Sequence, residues 1–339
     1  MALLFMDSFD HYATADITDK WTSNEGWTIG SSNGRNSTNA TQCAAEYELV
    51  RALPITGQNT AIIGFAVYVS SAFVTHYVMA VFDTGTLQCG LQFVNDGRIQ
   101  VGIGGGLGST LGTVHATSTN SLQQSVWYYI EFKAVIHNST GSIEVRVNGM
   151  EWINVSNVDT QGSSNATWNT VAWTGASGQT YRMDDVYMCD SSGSLNNDFL
   201  GDVRVSVLLP EGAGNTTEWT PSAGSNYACV DESAPNDDTD YVSTITLNAK
   251  DTYAFPAVAT GAEIKGVQIF AAVRKATDGP GKIKHVIRSG GTDYDQTEIG
   301  IGGTTYSYTR TMHETDPATG VSWTESGVNA AEFGIKKTG

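Results

Sequence analysis

The sequence predicts an all-β chain made of two sandwich domains, and three observations carry that prediction. From Val126 to Ile136 the even positions are uniformly apolar, the period-two pattern of a strand with one face in a core. Asn138-Ser139-Thr140-Gly141 then turns into Ile143-Glu144-Val145-Arg146-Val147, and Asn148-Gly149 supplies the positive-φ pair that a two-residue hairpin requires. No long amphipathic helix pattern interrupts the first half, which argues against a doubly wound α/β fold.

The other elements follow the same logic. Ala61 to Val69 is apolar on both faces, as expected of a central strand beneath a covering layer. Leu91 to Val94 and Arg98 to Val101 flank Asn95-Asp96-Gly97, a second hairpin signal, and a strand around Trp152 to Val155 follows the Asn148-Gly149 turn. The first half closes on Tyr181 to Met188, and the Ser-, Gly- and Asn-rich run from Asp190 to Asp198 reads as a junction. A boundary near residue 195 divides the chain into domains 1–194 and 195–339. Strands are expected in the second at Asp202 to Leu209, Tyr241 to Leu247, Val267 to Lys275, Lys282 to Arg288 and Thr304 to Met312, with one short helical turn around Val328 to Glu332. No internal repeat is visible, which argues against a propeller or solenoid.

A length of 339 residues suits two domains, and 40% hydrophobic with 16% charged residues disfavours disorder. The net charge of −17 is shared, with −9 on residues 1–190 and −8 on residues 191–339. The one basic concentration, Arg274, Lys275, Lys282, Lys284 and Arg288, falls on expected neighbouring strands of an acidic domain, so it reads as a solvated sheet face and nucleic acid is not an expected partner. No 18-residue apolar run is present, and Asp7 interrupts the start before a signal-peptide core could form, so a chain made in the cytoplasm without membrane insertion is expected. Cys43, Cys89, Cys189 and Cys229 match no metal knuckle and read as buried thiols, with a single disulfide as the alternative.

The run from Trp127 through Asn148-Gly149 to Asp184-Asp185-Val186-Tyr187, with Asp7-Ser8-Phe9-Asp10 and Gly34-Arg35 before it, resembles the concanavalin A-like, laminin-G-like jelly roll. That resemblance implies two curved antiparallel sheets, one often used for ligands, and structural Ca²⁺ at Asp184 and Asp185 or, alternatively, a loop capped by Asp185; no other cofactor is implied. The order of this domain, Asn197-Asp198-Phe199-Leu200-Gly201-Asp202-Val203-Arg204, and the closing Asp316-Pro317, Trp323-Thr324 and Glu332-Phe333-Gly334-Ile335 is similar to structural proteins of tailed bacteriophages and prophages. It implies a virion fibre, spike or capsid decoration protein, homotrimeric, partnered with other virion proteins and with host surface glycans. A bacterial carbohydrate-binding protein outside any particle, and a glycan-cleaving spike, are the alternatives.

No catalytic constellation stands out, and the expectation is of a protein that is not an enzyme. Jelly-roll glycosidases resembling this domain carry Glu-x-Asp-x-x-Glu, which is absent; Glu46 and Glu48 share one strand phase without a third acid. Gly30-Ser31-Ser32-Asn33-Gly34 has the nucleophile-elbow spacing, but polar loop sequence follows where a helix is needed. Gly102 to Gly108 has the glycine content of a phosphate loop without its lysine, and Asp231 to Asp240 lacks EF-hand spacing. A sugar needs an aromatic platform with amide or charged partners. Trp127 and Tyr129, in the outward phase of their strand, with Arg146 and Asn148 on the next, fit that requirement; the alternative is that these aromatics fill a sheet seam or a subunit interface.

Overall fold

A computed structural model describes residues 2–339 and divides them into two compact units, the first ending at Val205 and the second running from Ser206 to Gly339. The junction therefore lies beyond the Ser/Gly run that marks it in the sequence. Residues 195–205 stay with the first unit.

The first unit is a sandwich of two antiparallel sheets. One runs in the order Met150–Val158, Gly141–Val147, Trp127–Val135, Thr60–Val69, Tyr181–Cys189, Ala40–Cys43 and Thr28–Gly30, with Leu3–Asp7 also paired to Tyr181–Cys189. The other runs Leu111–Ser121, Arg98–Gly105, Thr86–Phe93, His76–Asp83, Thr170–Thr174, Glu48–Ala52 and Ser23–Asn24. The alternation read from sequence is realised: Ile130, Phe132, Ala134 and Ile136 are wholly buried, and Asn148 and Gly149 turn the hairpin at φ 50° and 76°. Thr60–Val69 is buried on both faces except at Tyr68, because Trp173 packs on Phe65 from one side and the Tyr187 ring lies over Gly64 on the other.

Between the sheets lies an aromatic core. Trp173 meets Trp21 at 5.6 Å and Phe65 at 5.8 Å between ring centroids, and Trp27 meets Tyr181 at 6.0 Å. Edge-to-face pairs at these separations add to plain burial. Trp21, Trp27, Trp168 and Trp173 are thus structural, which leaves Trp127 and Trp152 as the partly exposed tryptophans of the unit. All four cysteines are buried thiols outside any disulfide.

The second unit is also a two-layered β structure. Its main sheet runs Gly212–Thr217, Lys250–Ala254, Glu332–Lys337, Lys282–Ser289 and Thr292–Asp295, with Ile299–Gly300 also paired to Lys282–Ser289. A two-stranded ribbon, Val267–Val273 with Ser307–His313, packs on it through Ile269 against Ile287, Trp323, Val328 and Phe333. Two expected strands differ. Tyr241 to Leu247 contains only the short strand Val242–Ser243, and Asp202 to Leu209 is extended chain without a ladder, despite its apolar alternation. The helix spans Glu325–Ala330, earlier than its composition suggested, because the Thr324 hydroxyl accepts the Gly327 N–H and fixes the start there. Three of the five residues of the basic cluster are paired within the unit, Arg274 with Asp238, Lys282 with Glu298 and Arg288 with Asp293, and Lys275 donates to the Gly279 carbonyl.

His285 joins the layers, with both ring nitrogens 2.9 Å from the hydroxyls of Thr311 and Thr309. Burial, and then the neighbouring His313, bring His285 down to about 4; burial alone does the same for His313. A histidine whose folded value lies below its unfolded one contributes stability in full above about 6.5 and loses it as pH falls towards about 4. The protection factors of the Val286 and Ile287 amides, each taken against the intrinsic exchange rate at the same pH, should fall over that interval. Protection factors that stay constant from pH 7 to pH 4.5 would show that the pair is not held neutral.

Candidate functional site

The two outer faces of the first unit differ in what they leave open. On the smaller sheet, Leu107 and Leu111 fold over Tyr77, Ala80, Phe82 and Leu87. The Gln88 carboxamide is fully engaged by residues 162–167, and that of Gln92 accepts the Leu111 N–H. This face is closed by the protein's own loops.

The outer face of the larger sheet is half strapped and half open. The strapped half lies under residues 198–205. Glu131 accepts hydrogen bonds from the Tyr187 hydroxyl at 2.6 Å and the Gly201 N–H at 2.8 Å, and the Leu200 N–H donates to the same tyrosine oxygen. Lys133 pairs with Asp198 at 2.9 Å, while Phe199 lies beneath the Arg146 guanidinium at 4.5 Å and Lys133 at 5.7 Å. Arg35 bonds Asp202 and the Val203 carbonyl, and Asp185 receives Arg204 at 3.2 Å and the Val205 N–H at 2.9 Å.

Beneath the strap sits the acidic pair that the sequence marked for a metal. Tyr181–Cys189 carries a bulge between Asp184 and Tyr187, with Asp185 at φ 49°, so consecutive carboxylates approach the same side of the sheet. Arg35 bonds Asp185 at 3.0 Å, and Asp184 accepts the backbone N–H groups of Arg35 and Asp185. The cation expected as Ca²⁺ is thus provided at Asp185 by two guanidinium groups. Among the described residues no group of three or more His, Cys, Asp or Glu could hold a metal ion. Burial, and then the adjacent Asp185 charge, push the Asp184 carboxyl up; burial pushes Asp185 up too, with the Val205 N–H, Arg35 and Arg204 opposing it.

Three of the four residues expected to form a sugar platform have structural work instead. Tyr129 has the outward phase but is 1% exposed, because Arg35 covers its ring at 5.2 Å and its hydroxyl donates to the Asp185 carbonyl. Arg146 is engaged by Glu144 at 2.8 Å and by Phe199, and the Asn148 side chain accepts the Tyr129 N–H within the hairpin. Trp127 alone of the four remains on the open half. Substituting Phe199→Ala removes the apolar anchor of the strap, and we expect faster tryptic cleavage at Arg204 with a stability loss of about 1 kcal/mol or less. Unchanged cleavage at Arg204 would contradict this anchoring.

The open half is organised by register. Trp127 pairs with Tyr68, Tyr68 with Arg182, Arg182 with Gln42 and Gln42 with Thr28, each directly opposite across adjacent strands. Directly opposed residues share a face, and five strands span roughly 19 Å. Trp127 and Tyr68 lie 5.6 Å apart, the Arg182 guanidinium covers Tyr68 at 4.9 Å, and Asn33 donates to the Gln42 side-chain oxygen at 3.2 Å. All four side chains from Trp127 to Gln42 are partly exposed. The sequence carried one signal for this row, the outward phase of Trp127; Tyr68, Arg182 and Gln42 join it only through strand register.

The other constellations resolve as structure. Glu46 lies in a bend outside Glu48–Ala52, so the two acids do not share a strand face. Gly30 to Gly34 leads into a single 3-10 turn, Arg35–Ser37, with Asn36 left-handed, which gives no helix for a nucleophile elbow.

No family model matches the chain, and no curated protein matches it. Solved structures similar to it include an alginate lyase from a Chlorella virus, at 10% identity and a TM-score of 0.41 over 56% of this chain and 99% of that one. A carbohydrate esterase from the Shiga toxin-encoding bacteriophage phi24B is similar at 16% identity and a TM-score of 0.36, over 55% and 99% of the two chains. The CBM2 module of the evolved Dit of Lactobacillus casei BL23 phage J-1 is similar at 12% identity and a TM-score of 0.38, over 55% and 94%. A lyase and an esterase stand among these neighbours, and the expectation that the chain is not an enzyme is withdrawn. The missing Glu-x-Asp-x-x-Glu pattern excludes one acid arrangement and not catalysis. Among the described residues no helix is long and apolar enough to cross a membrane. The chain is an all-β protein of sandwich-like antiparallel sheets whose structural neighbours include proteins of phages and of a virus.

Proposed function

We propose that this chain is a surface component of a phage-type virion, a fibre, spike or decoration protein, and that its N-terminal sandwich holds a glycan along the row Trp127, Tyr68, Arg182 and Gln42. The observation that carries the glycan reading is the register that aligns two partly exposed aromatic rings with a guanidinium and a carboxamide across four adjacent strands. A sugar presents an apolar face ringed by hydroxyls, which an aromatic ring and nearby polar groups complement. The row is long enough for an oligosaccharide rather than one ring. The virion setting is supported by the order of motifs along the chain. In a trimer, three such rows would multiply weak contacts into avidity.

The test is a glycan array probed with the full chain and with Trp127→Ala. Retention of bound sugars by the full chain, weakened on the order of tenfold by the substitution, is the expected result. Binding that is indifferent to Trp127, or absent across the array, contradicts the reading. Light scattering of the purified chain checks the trimer, and a monomer at micromolar concentration removes the avidity argument.

A further inference from the structure

We infer that the glycan recognised on this row carries a carboxylate, as a hexuronic acid does, and that Arg182 is the group that receives it. The inference rests on the glycan reading above and narrows its ligand class. The central observation is a guanidinium left without a carboxylate. In the first unit the other partly exposed cations are paired: Arg98 with Asp96, Lys133 with Asp198, Arg146 with Glu144 and Arg204 with Asp185. The buried Lys20 and Arg35 are paired as well, and buried Arg51 donates to the Lys20 carbonyl. Among the described residues of this unit, Arg182 is the one partly exposed cation without a carboxylate within ion-pair distance, although residues 1–190 carry a net charge of −9.

Its setting explains why no internal acid reaches it. The carboxylate two residues along the same strand, Asp184, is taken by the backbone N–H groups of Arg35 and Asp185. The strands on either side oppose Arg182 with Tyr68 and Gln42, both uncharged. The guanidinium lies on the Tyr68 ring at 4.9 Å, and its Nε, shielded there, has no hydrogen-bond partner. Stacking fixes the plane of a fork whose outer N–H groups match a carboxylate bidentately. Beside it, the Gln42 oxygen is occupied by Asn33, which leaves the Gln42 amide nitrogen as a second donor. An aromatic pair for the ring face and two adjacent donors for an anion describe an acidic sugar better than a neutral one.

The experiment is calorimetric titration of the full chain with hexuronate tetrasaccharides of the glucuronate, galacturonate and mannuronate series, each beside the neutral tetrasaccharide made from it by carboxyl reduction. At least one acidic member should bind on the order of tenfold tighter than its reduced form, with a preference that shrinks as salt rises. Arg182→Gln should bring that ratio towards one, and Arg182→Lys, which keeps the charge but not the fork, should leave it intermediate. Equal binding of acidic and neutral members overturns this inference while leaving the glycan row standing. A preference that survives Arg182→Gln overturns the assignment to Arg182, and binding of no member overturns this inference together with the reading beneath it.

Discussion

Replacing Asp7 with Asn is expected to destabilise the N-terminal sandwich by about 3–5 kcal/mol, the cost of leaving a buried cation without its counter-charge. Asp7 and Lys20 are paired at 3.0 Å with both side chains wholly buried. The carboxylate also accepts the Tyr12 hydroxyl at 2.5 Å, the Trp21 indole N–H at 2.7 Å and the Phe9 N–H at 3.0 Å. Burial raises its pKa, but Lys20, His11, the Tyr12 hydroxyl and the Phe9 N–H together outweigh burial and hold it below the ordinary 3.8. A depressed carboxylate contributes stability in full above its unfolded value and loses it as pH falls through the folded one, so the difference between native protein and variant should close in acid. Urea unfolding measures the loss. The double variant Asp7→Asn, Lys20→Met should recover most of it, because removing both charges leaves no unpaired ion. If the single and double variants are equally unstable, the ion pair is not the cause.

Gly64→Ala should cost about 3 kcal/mol, a large effect for one methyl group. A Cβ at Gly64 would lie 2.0 Å from Tyr187 Cε1, far inside contact distance. The ring cannot yield cheaply, because its hydroxyl donates to Glu131 and accepts the Leu200 N–H. The substitution therefore strains the strand or breaks the hydrogen bonds that hold the strap. Unfolding by urea gives the magnitude, and pairing the change with Tyr187→Ala should make the added methyl group nearly neutral. A neutral Gly64→Ala on its own would show that the ring is free to move.

The parts of this fold that alternation encodes were legible in the sequence. The strand Trp127–Val135, its even-phase core positions and the Asn148-Gly149 turn follow from residue-by-residue periodicity, and the structure realises each. What periodicity does not encode is what covers an outward face. Tyr129 has the outward phase yet is buried, because Arg35, far away in sequence, and residues 198–205 close over it. Asp202 to Leu209 alternates like a strand but makes side-chain and single backbone anchors in place of a ladder, a distinction set by long-range partners such as Asp185. The open row depends on register in the same way. Arg182 and Gln42 are unremarkable in their own segments and join Tyr68 in one row only when three strands align. Asp184 and Asp185 read as metal ligands because sequence shows carboxylates and not the guanidinium groups that fold brings to them.

The measurement that bears most directly on this account is a crystal structure of the full chain soaked with an oligosaccharide that it binds in solution. The expected result is a sugar ring stacked on Trp127 and Tyr68, with a polar substituent within hydrogen-bond distance of Arg182 and Gln42. A sugar seated on the opposite sheet, or anywhere in the second unit with the Trp127 row empty, would contradict it.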